Sequence, residues 1–167
     1  MHIRQFRVED SKEVEDLISS ILKKEFPDVR EAYPESDLKD INAHYAGERE
    51  GFFVAIEKGR VVGTVGIKED DRKQNKALLR RIFVHPDYRG KGYGLALLDK
   101  AIEFCKKKGY HSLSFRSTDK MASANNLVQK RGFVERERLY FPLSKEKGVE
   151  IIKFVLNLSI SPRRENA

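Results

Sequence analysis

The stretch Arg80-Arg81-Ile82-Phe83-Val84-His85-Pro86-Asp87-Tyr88-Arg89-Gly90-Lys91-Gly92-Tyr93-Gly94 carries the most concentrated chemistry in the sequence. An apolar, β-rich run feeds a loop with glycine at every second position, and a helical pattern begins there. Glycine has no Cβ, so successive backbone N–H groups can crowd around one anion. The start of a helix adds roughly half a positive charge. Arg89 and Lys91 flank the loop with full charges. Together these features form a cradle for phosphate or diphosphate. A P-loop would need Gly-Lys-Ser/Thr, but Lys91 is followed by Gly92 and no hydroxyl is offered to magnesium. A dinucleotide fold would place G-x-G-x-x-G directly after its strand. Here the spacing is G-x-G-x-G, Pro86 intervenes, and the next strand offers Arg116 where an acid should bind ribose. An NADP-binding Rossmann unit is therefore the lesser competitor.

Other reactive side chains are scattered. His44, His85, His111 and Glu50 are the groups available as a general base, and none is assigned; His85 in His-Pro reads as a turn residue. Cys105, mid-helix among Ala101, Ile102 and Phe104, reads as a buried, inert thiol. As the only cysteine it excludes an internal disulfide framework and a multi-cysteine metal site, and no metal is expected. Lys and Arg number 33 against 26 Asp and Glu, a net charge of +7 that suits an anionic partner. The signs are interspersed, with short basic runs at Arg80-Arg81, Lys106-Lys107-Lys108 and Arg163-Arg164. No element interleaves aromatic and basic residues, which argues against nucleic acid. No apolar run approaches the roughly 20 residues of a membrane span. The opening MHIRQFRVEDSKEV lacks the apolar core of a secretory signal, so a reducing, cytoplasmic setting is expected.

At 167 residues, with 40% hydrophobic and 35% charged, the chain reads as one globular domain, 1–160, with a frayed tail at 161–167. A strand is expected over His2–Val8. Asp10 and Glu13 read as a capping box, opening a helix on Val14, Leu17, Ile18, Ile21 and Leu22 that stops at Pro27. Leu38, Ile41 and Tyr45 mark a second helix, closed by Gly47. Phe52–Ile56 and Val61–Ile67 form a hairpin around Glu57-Lys58-Gly59-Arg60. After the polar loop Asp70–Lys76 come a strand over Ala77–Val84 and a long helix over Gly92–Lys108. A short strand follows at His111–Arg116. Thr118 or Asp119 then caps a helix through Met121, Ala124, Leu127 and Val128. Phe133–Phe141 is extended, and the alternating run from Ile152 to Leu158 is the last strand. This order, β-α-α-β-β-β-α-β-α-β-β, predicts one mixed α/β sheet and no regular βαβ array.

On these residues the sequence resembles the GCN5-related N-acetyltransferases. Arg89-Gly90-Lys91-Gly92-Tyr93-Gly94 is similar to the family's R-x-x-G-x-G/A loop, and Phe83-Val84-His85-Pro86 to its V-x-P strand end. Ile3-Arg4, Val62-Gly63 and Gly132-Phe133 match further landmarks. The resemblance implies a mostly antiparallel sheet flanked by helices, with one splayed parallel strand pair and acetyl-CoA held between those strands. It assigns Ile82, Phe83 and Val84 to the pantetheine arm and Arg89, Gly90, Lys91, Gly92, Tyr93 and Gly94 to the diphosphate. Asn125 and Asn126 precede Val128 on the same helix and could face the cofactor, although exposed polar helix positions are the plainer reading. The family's proton-donating tyrosine falls at Val128, and its upstream asparagine at Met121. Either another group serves, with Tyr140 the candidate substitute general acid, or the thiolate leaves unaided. The expected activity is transfer of acetyl from acetyl-CoA to a primary amine by direct attack in a ternary complex, by a monomer or homodimer. The competing expectation is a non-catalytic acyl-CoA-binding sensor.

Overall fold

The apolar spacing of Val14, Leu17, Ile18, Ile21 and Leu22 builds helix α1 (Ser11–Glu25), and all five side chains are buried. The computed structural model describes residues 1–32 and 34–158. Strand β1 spans His2–Gln5, shorter than the sequence suggests, because a helical turn at Val8–Asp10 intervenes. The capping box does not form. Asp10 accepts hydrogen bonds from Arg4 at 2.8 and 2.9 Å and from the Arg7 N–H at 2.8 Å, so its carboxylate is committed to the preceding turn. The second expected helix is reduced to a turn at Ser36–Lys39 and the single-turn α2 (Ile41–His44), whose Asp40 carboxylate caps Ala43 N–H.

Strands β2 (Gly51–Glu57) and β3 (Arg60–Asp71) form the hairpin, with Lys58 and Gly59 at φ 51° and 77° in its two-residue turn. They are followed by β4 (Lys76–Val84), α3 (Tyr93–Lys107), β5 (Ser112–Thr118), α4 (Ala122–Lys130), β6 (Val134–Pro142) and β7 (Gly148–Asn157). The sheet order is β1-β2-β3-β4-β5-β7-β6, and every neighbouring pair is antiparallel except β4 with β5. The mixed sheet and the element order therefore match the sequence reading. The expected tail at 161–167 lies outside the described residues.

Two apolar clusters cover the two faces of the sheet. One joins Leu79, Ile82 and Phe115 to Leu97, Leu98 and Ala101 of α3. The other joins Phe52, Val54 and Val61 to α1 and to Leu38, Ile41 and Tyr45. Among the described residues, no helix is long and apolar enough to cross a membrane.

Candidate active site

The parallel pairing of β4 and β5 is short. It runs from Lys76↔Ser112 to Leu79↔Phe115 and stops there. Beyond that point β4 stays with β3 and β5 stays with β7, so the two strands part within the sheet. A bulge in β4 accompanies the parting: the β3 register shifts opposite Arg80–Phe83, and Arg81 sits at φ 55°. Positive φ is uncommon for an arginine, so tertiary contacts must hold it. Arg81 donates Nε to Asp37 Oδ2 at 3.1 Å and Nη2 to Asp37 Oδ1 at 2.5 Å, and its carbonyl accepts from Thr64 Oγ1 at 2.7 Å. Tyr45 donates its hydroxyl to Asp37 at 2.8 Å. Burial pushes the Asp37 carboxyl up, but the hydrogen bonds and charge of Arg81, with Tyr45 and Arg80, outweigh it and hold the carboxyl below its ordinary range. Burial raises the Tyr45 phenol, which stays a neutral donor.

The parted strands open a cleft of about 1010 Å³. Ile82, Phe83 and Val84 form one wall, where β4 has no strand partner on its β5 side. The floor is Leu79 and Phe115, joined by Met121 just before α4 and by Ala124 and Leu127 of α4. At the end of β4, His85 Nδ1 accepts from Asp87 N–H at 3.0 Å, the turn role expected of it. Gly90 and Gly92 then take φ of 76° and 86°, backbone that glycine adopts without strain.

This loop exposes its donors. Among the described residues, none accepts a hydrogen bond from the backbone N–H groups of residues 90 through 95, and the first helical donor is Ala96, bonded to the Gly92 carbonyl at 3.0 Å. Gly90, Gly92, Tyr93, Gly94 and Leu95 all line the cleft. A row of free amides at the start of a 15-residue helix is a site for an anion. Arg89 also lines the cleft, but its guanidinium is engaged: it donates to both Glu25 carboxylate oxygens at 2.9 Å and to the Val84 carbonyl at 2.9 Å. It braces the loop against α1. Tyr93 donates its hydroxyl to Glu57 at 2.9 Å, and that bond raises its phenol.

The acetyltransferase (GNAT) family model matches residues 16–133. This chain belongs to that family. Its GNAT relatives include a probable N-acetyltransferase, camello, of Xenopus tropicalis, 32% identical over 113 residues, which make up 67% of this chain and 52% of that protein. An N-acetyltransferase of Methanocaldococcus jannaschii is 35% identical over 94 residues, 54% of this chain and 42% of that protein. The chain thus spans about half the length of these curated relatives. Among solved structures, a GNAT acetyltransferase of Staphylococcus aureus Mu50 is 29% identical with a TM-score of 0.78, covering 95% of this chain and 99% of that one. A putative acetyltransferase of Salmonella typhimurium, solved with its cofactor acetyl-CoA, shares the fold at a TM-score of 0.79 and 20% identity, covering 96% and 95%.

Within this GNAT fold, eight of the expected cofactor residues line one cleft: Ile82, Phe83, Val84, Arg89, Gly90, Gly92, Tyr93 and Gly94. Four expected residues, Lys91, Asn125, Asn126 and Tyr140, do not line it. Lys91 turns its ammonium over the Tyr88 ring, 5.4 Å from the centroid. Asn125 is one helical step from the face that carries Met121, Ala124 and Leu127, and its Nδ2 donates to the Thr118 carbonyl at 2.9 Å. Tyr140 lies on the edge strand β6, separated from the fork by β7; it is 67% exposed, with its ring end against Gly148. Val128 is fully buried, so no polar group replaces the family tyrosine at that position. His44, His85, His111 and Glu50 all lie outside the cleft lining. Among the cleft-lining residues that the sequence left unassigned are Arg80, Arg116, Lys120 and Lys130. Their signal was an arginine directly following Leu79 and another following Phe115, meaningful only once those two residues are known to be paired.

Proposed function

We propose that this chain transfers an acetyl group from acetyl-CoA to a primary amine by direct attack in a ternary complex. The observation that carries this reading is the run of unbonded amides from Gly90 to Leu95 opening into the fork between β4 and β5. The residues suit the cofactor. The free amides and helix start match a diphosphate, and the unpaired edge of residues 82–84 matches the amide-bearing pantetheine arm, which can bond it as an added strand would. When bound, acetyl-CoA supplies an acyl group activated as a thioester.

The chain's own contribution is to position, shield and polarise. The cleft floor of Leu79, Phe115 and Met121 is buried and apolar, which excludes water and strengthens nearby dipoles. Holding the two reactants in register converts a bimolecular encounter into an effectively unimolecular one. A lysine-like amine, pKa about 10.4, would need about 4–5 kcal/mol to become neutral at pH 7. Glu25 is the one carboxylate among the described lining residues, and Arg89 occupies it. The amine is therefore deprotonated by solvent, assisted by surrounding cations that disfavour a second positive charge. The position of the family's proton-donating tyrosine holds the apolar Val128, and the leaving thiolate, with a pKa of about 8.5, can depart unaided. We place the activity in the cytoplasm, with the protein a monomer or homodimer; a lone, buried Cys105 suits a reducing compartment.

The test is thiol release from acetyl-CoA across a panel of amines, with product masses read in parallel. Amine-dependent release with an acetylated product supports transfer. Tight acetyl-CoA binding with no amine-dependent release from any panel member would instead mark a non-catalytic acyl-CoA-binding module.

A further inference from the structure

Arg80 and Arg116 occupy matching places on the two parted strands. Leu79 and Phe115 are the last parallel partners, and each arginine is the next residue along. Paired strands lie about 4.8 Å apart, so the two guanidinium groups spring from neighbouring points at the apex of the fork. Leu79 and Phe115 face α3. Alternation along a strand therefore turns Arg80 and Arg116 to the opposite face, that of α1 and α2. The free amides of residues 90–95 lie at the start of α3, on the other face. Between Arg80 and the end of β4 at Val84 the strand rises about 13 Å. The cleft thus has a phosphate-binding end and an arginine end on opposite sides of the sheet.

Among the described residues, neither arginine has a full partner. Arg80 Nη2 approaches Asp37 Oδ1 only to 4.0 Å. Both Asp37 oxygens are already taken, by Arg81 at 2.5 and 3.1 Å and by Tyr45 at 2.8 Å. One carboxylate faces two guanidinium groups, which leaves one positive charge over. Arg116 makes no hydrogen bond or ion pair among the described residues, and its cross-strand partner on β7 is Lys153, a like charge. Like charges directly opposite are destabilising, so this arrangement gains from an anion arriving between the strands. Lys120 and Lys130 add further positive charge to the lining.

Building on the acetyl-transfer reading, we infer that the acceptor is a free amino acid, whose carboxylate is held by Arg80 and Arg116 while its amine is presented at the fork. Two guanidinium groups suit a carboxylate, which offers two oxygens to charged donors. The same cations repel polyamines and other polycationic acceptors. They also act on the reacting group. A carboxylate supports the protonated state of its own ammonium, and pairing it with arginine removes that support, so the amine sheds its proton more readily. The site thereby does electrostatically what no carboxylate in the cleft is free to do.

The experiment compares kcat/KM for amino acids, each beside its own carboxamide, with spermidine as the cationic acceptor, at fixed ionic strength. The carboxamide's amine is the more easily deprotonated of each pair, so preference for the acid cannot arise from basicity. The inference expects the acids to exceed their carboxamides by at least about tenfold, the scale of one lost charged contact, and spermidine not to turn over. Arg116→Gln and Arg80→Gln should each raise the amino-acid KM by about tenfold and lower kcat most at low pH, where the amine is protonated, with the Kd for acetyl-CoA unchanged. Equal rates for acid and carboxamide, turnover of spermidine, or variants that weaken acetyl-CoA while sparing the amine KM would overturn it. Acetyl-CoA binding without turnover of any amino acid would also overturn it, while leaving the cofactor site standing. Absence of acetyl-CoA binding to the wild type would remove the acetyl-transfer reading itself.

Discussion

Arg81 grips Asp37 through two guanidinium nitrogens, at 3.1 and 2.5 Å, from a backbone held at φ 55°. The pair joins the β4 bulge to the segment between α1 and α2, so it links the opening in the sheet to the chain that lines the arginine end of the cleft. Both side chains are almost fully buried. Removing one partner of such a pair leaves an uncompensated charge.

Asp37→Asn should therefore lower the unfolding free energy by about 3–5 kcal/mol at pH 7, measured by urea denaturation. The Asp37 carboxyl is held below its ordinary value of 3.8 in the fold, chiefly by Arg81 against the opposing effect of burial. Its contribution is present above that value and lost as pH falls through the folded-state pKa. The gap between wild type and variant should therefore narrow on acidification below about pH 3.8. A gap that stays constant to low pH would contradict the assignment.

Tyr140→Phe should leave kcat within about twofold of wild type. The ring is 67% exposed on an edge strand, and its hydroxyl makes no hydrogen bond among the described residues. A loss of a hundredfold or so, the scale of a general acid, would return Tyr140 to the chemistry.

Cys105 should resist alkylation in the native state. Burial pushes its thiol up to about 12, opposed only weakly by the charge of Arg49. At pH 8 only about one thiol in ten thousand is then ionised in the fold. Iodoacetamide labelling followed by mass spectrometry should show modification in urea and none in buffer. Because the folded-state pKa is raised, the contribution to stability is full below an ordinary thiol pKa of about 8.5 and declines above it. Fast native labelling at pH 8 would contradict the burial.

The pH dependence of kcat/KM should rise by about one log unit per pH unit until the acceptor amine is neutral, with the inflection following the amine when acceptors are exchanged. An inflection that stays fixed across acceptors of different pKa would reveal a protein base that the cleft lining does not contain.

The order of strands and helices was legible because period-2 and helical patterns are local properties of residues such as Phe52–Ile56 and Val14–Leu22. The phosphate loop was legible for a similar reason: alternating glycines and a helix start sit side by side in sequence. The rest depended on distant partners. Asp10 looked like a helix cap until Arg4 claimed it. The bulge carries no local mark, since the distant partners Asp37, Pro34 and Thr64 hold Arg81 at positive φ. Arg80 and Arg116 become neighbours only through the parallel register of Leu79 with Phe115. Lys91, placed next to the glycines by sequence, turned instead toward Tyr88.

Calorimetric titration with acetyl-CoA and with acetyl-pantetheine, which lacks the diphosphate, tests the amide cradle most directly. Wild-type protein should bind acetyl-CoA at least about a hundredfold more tightly than acetyl-pantetheine, a difference near 2.7 kcal/mol. Gly92→Glu, which sets a carboxylate among the amides, should erase that preference while circular dichroism shows the fold intact. Equal affinity of the wild type for the two compounds would contradict the account.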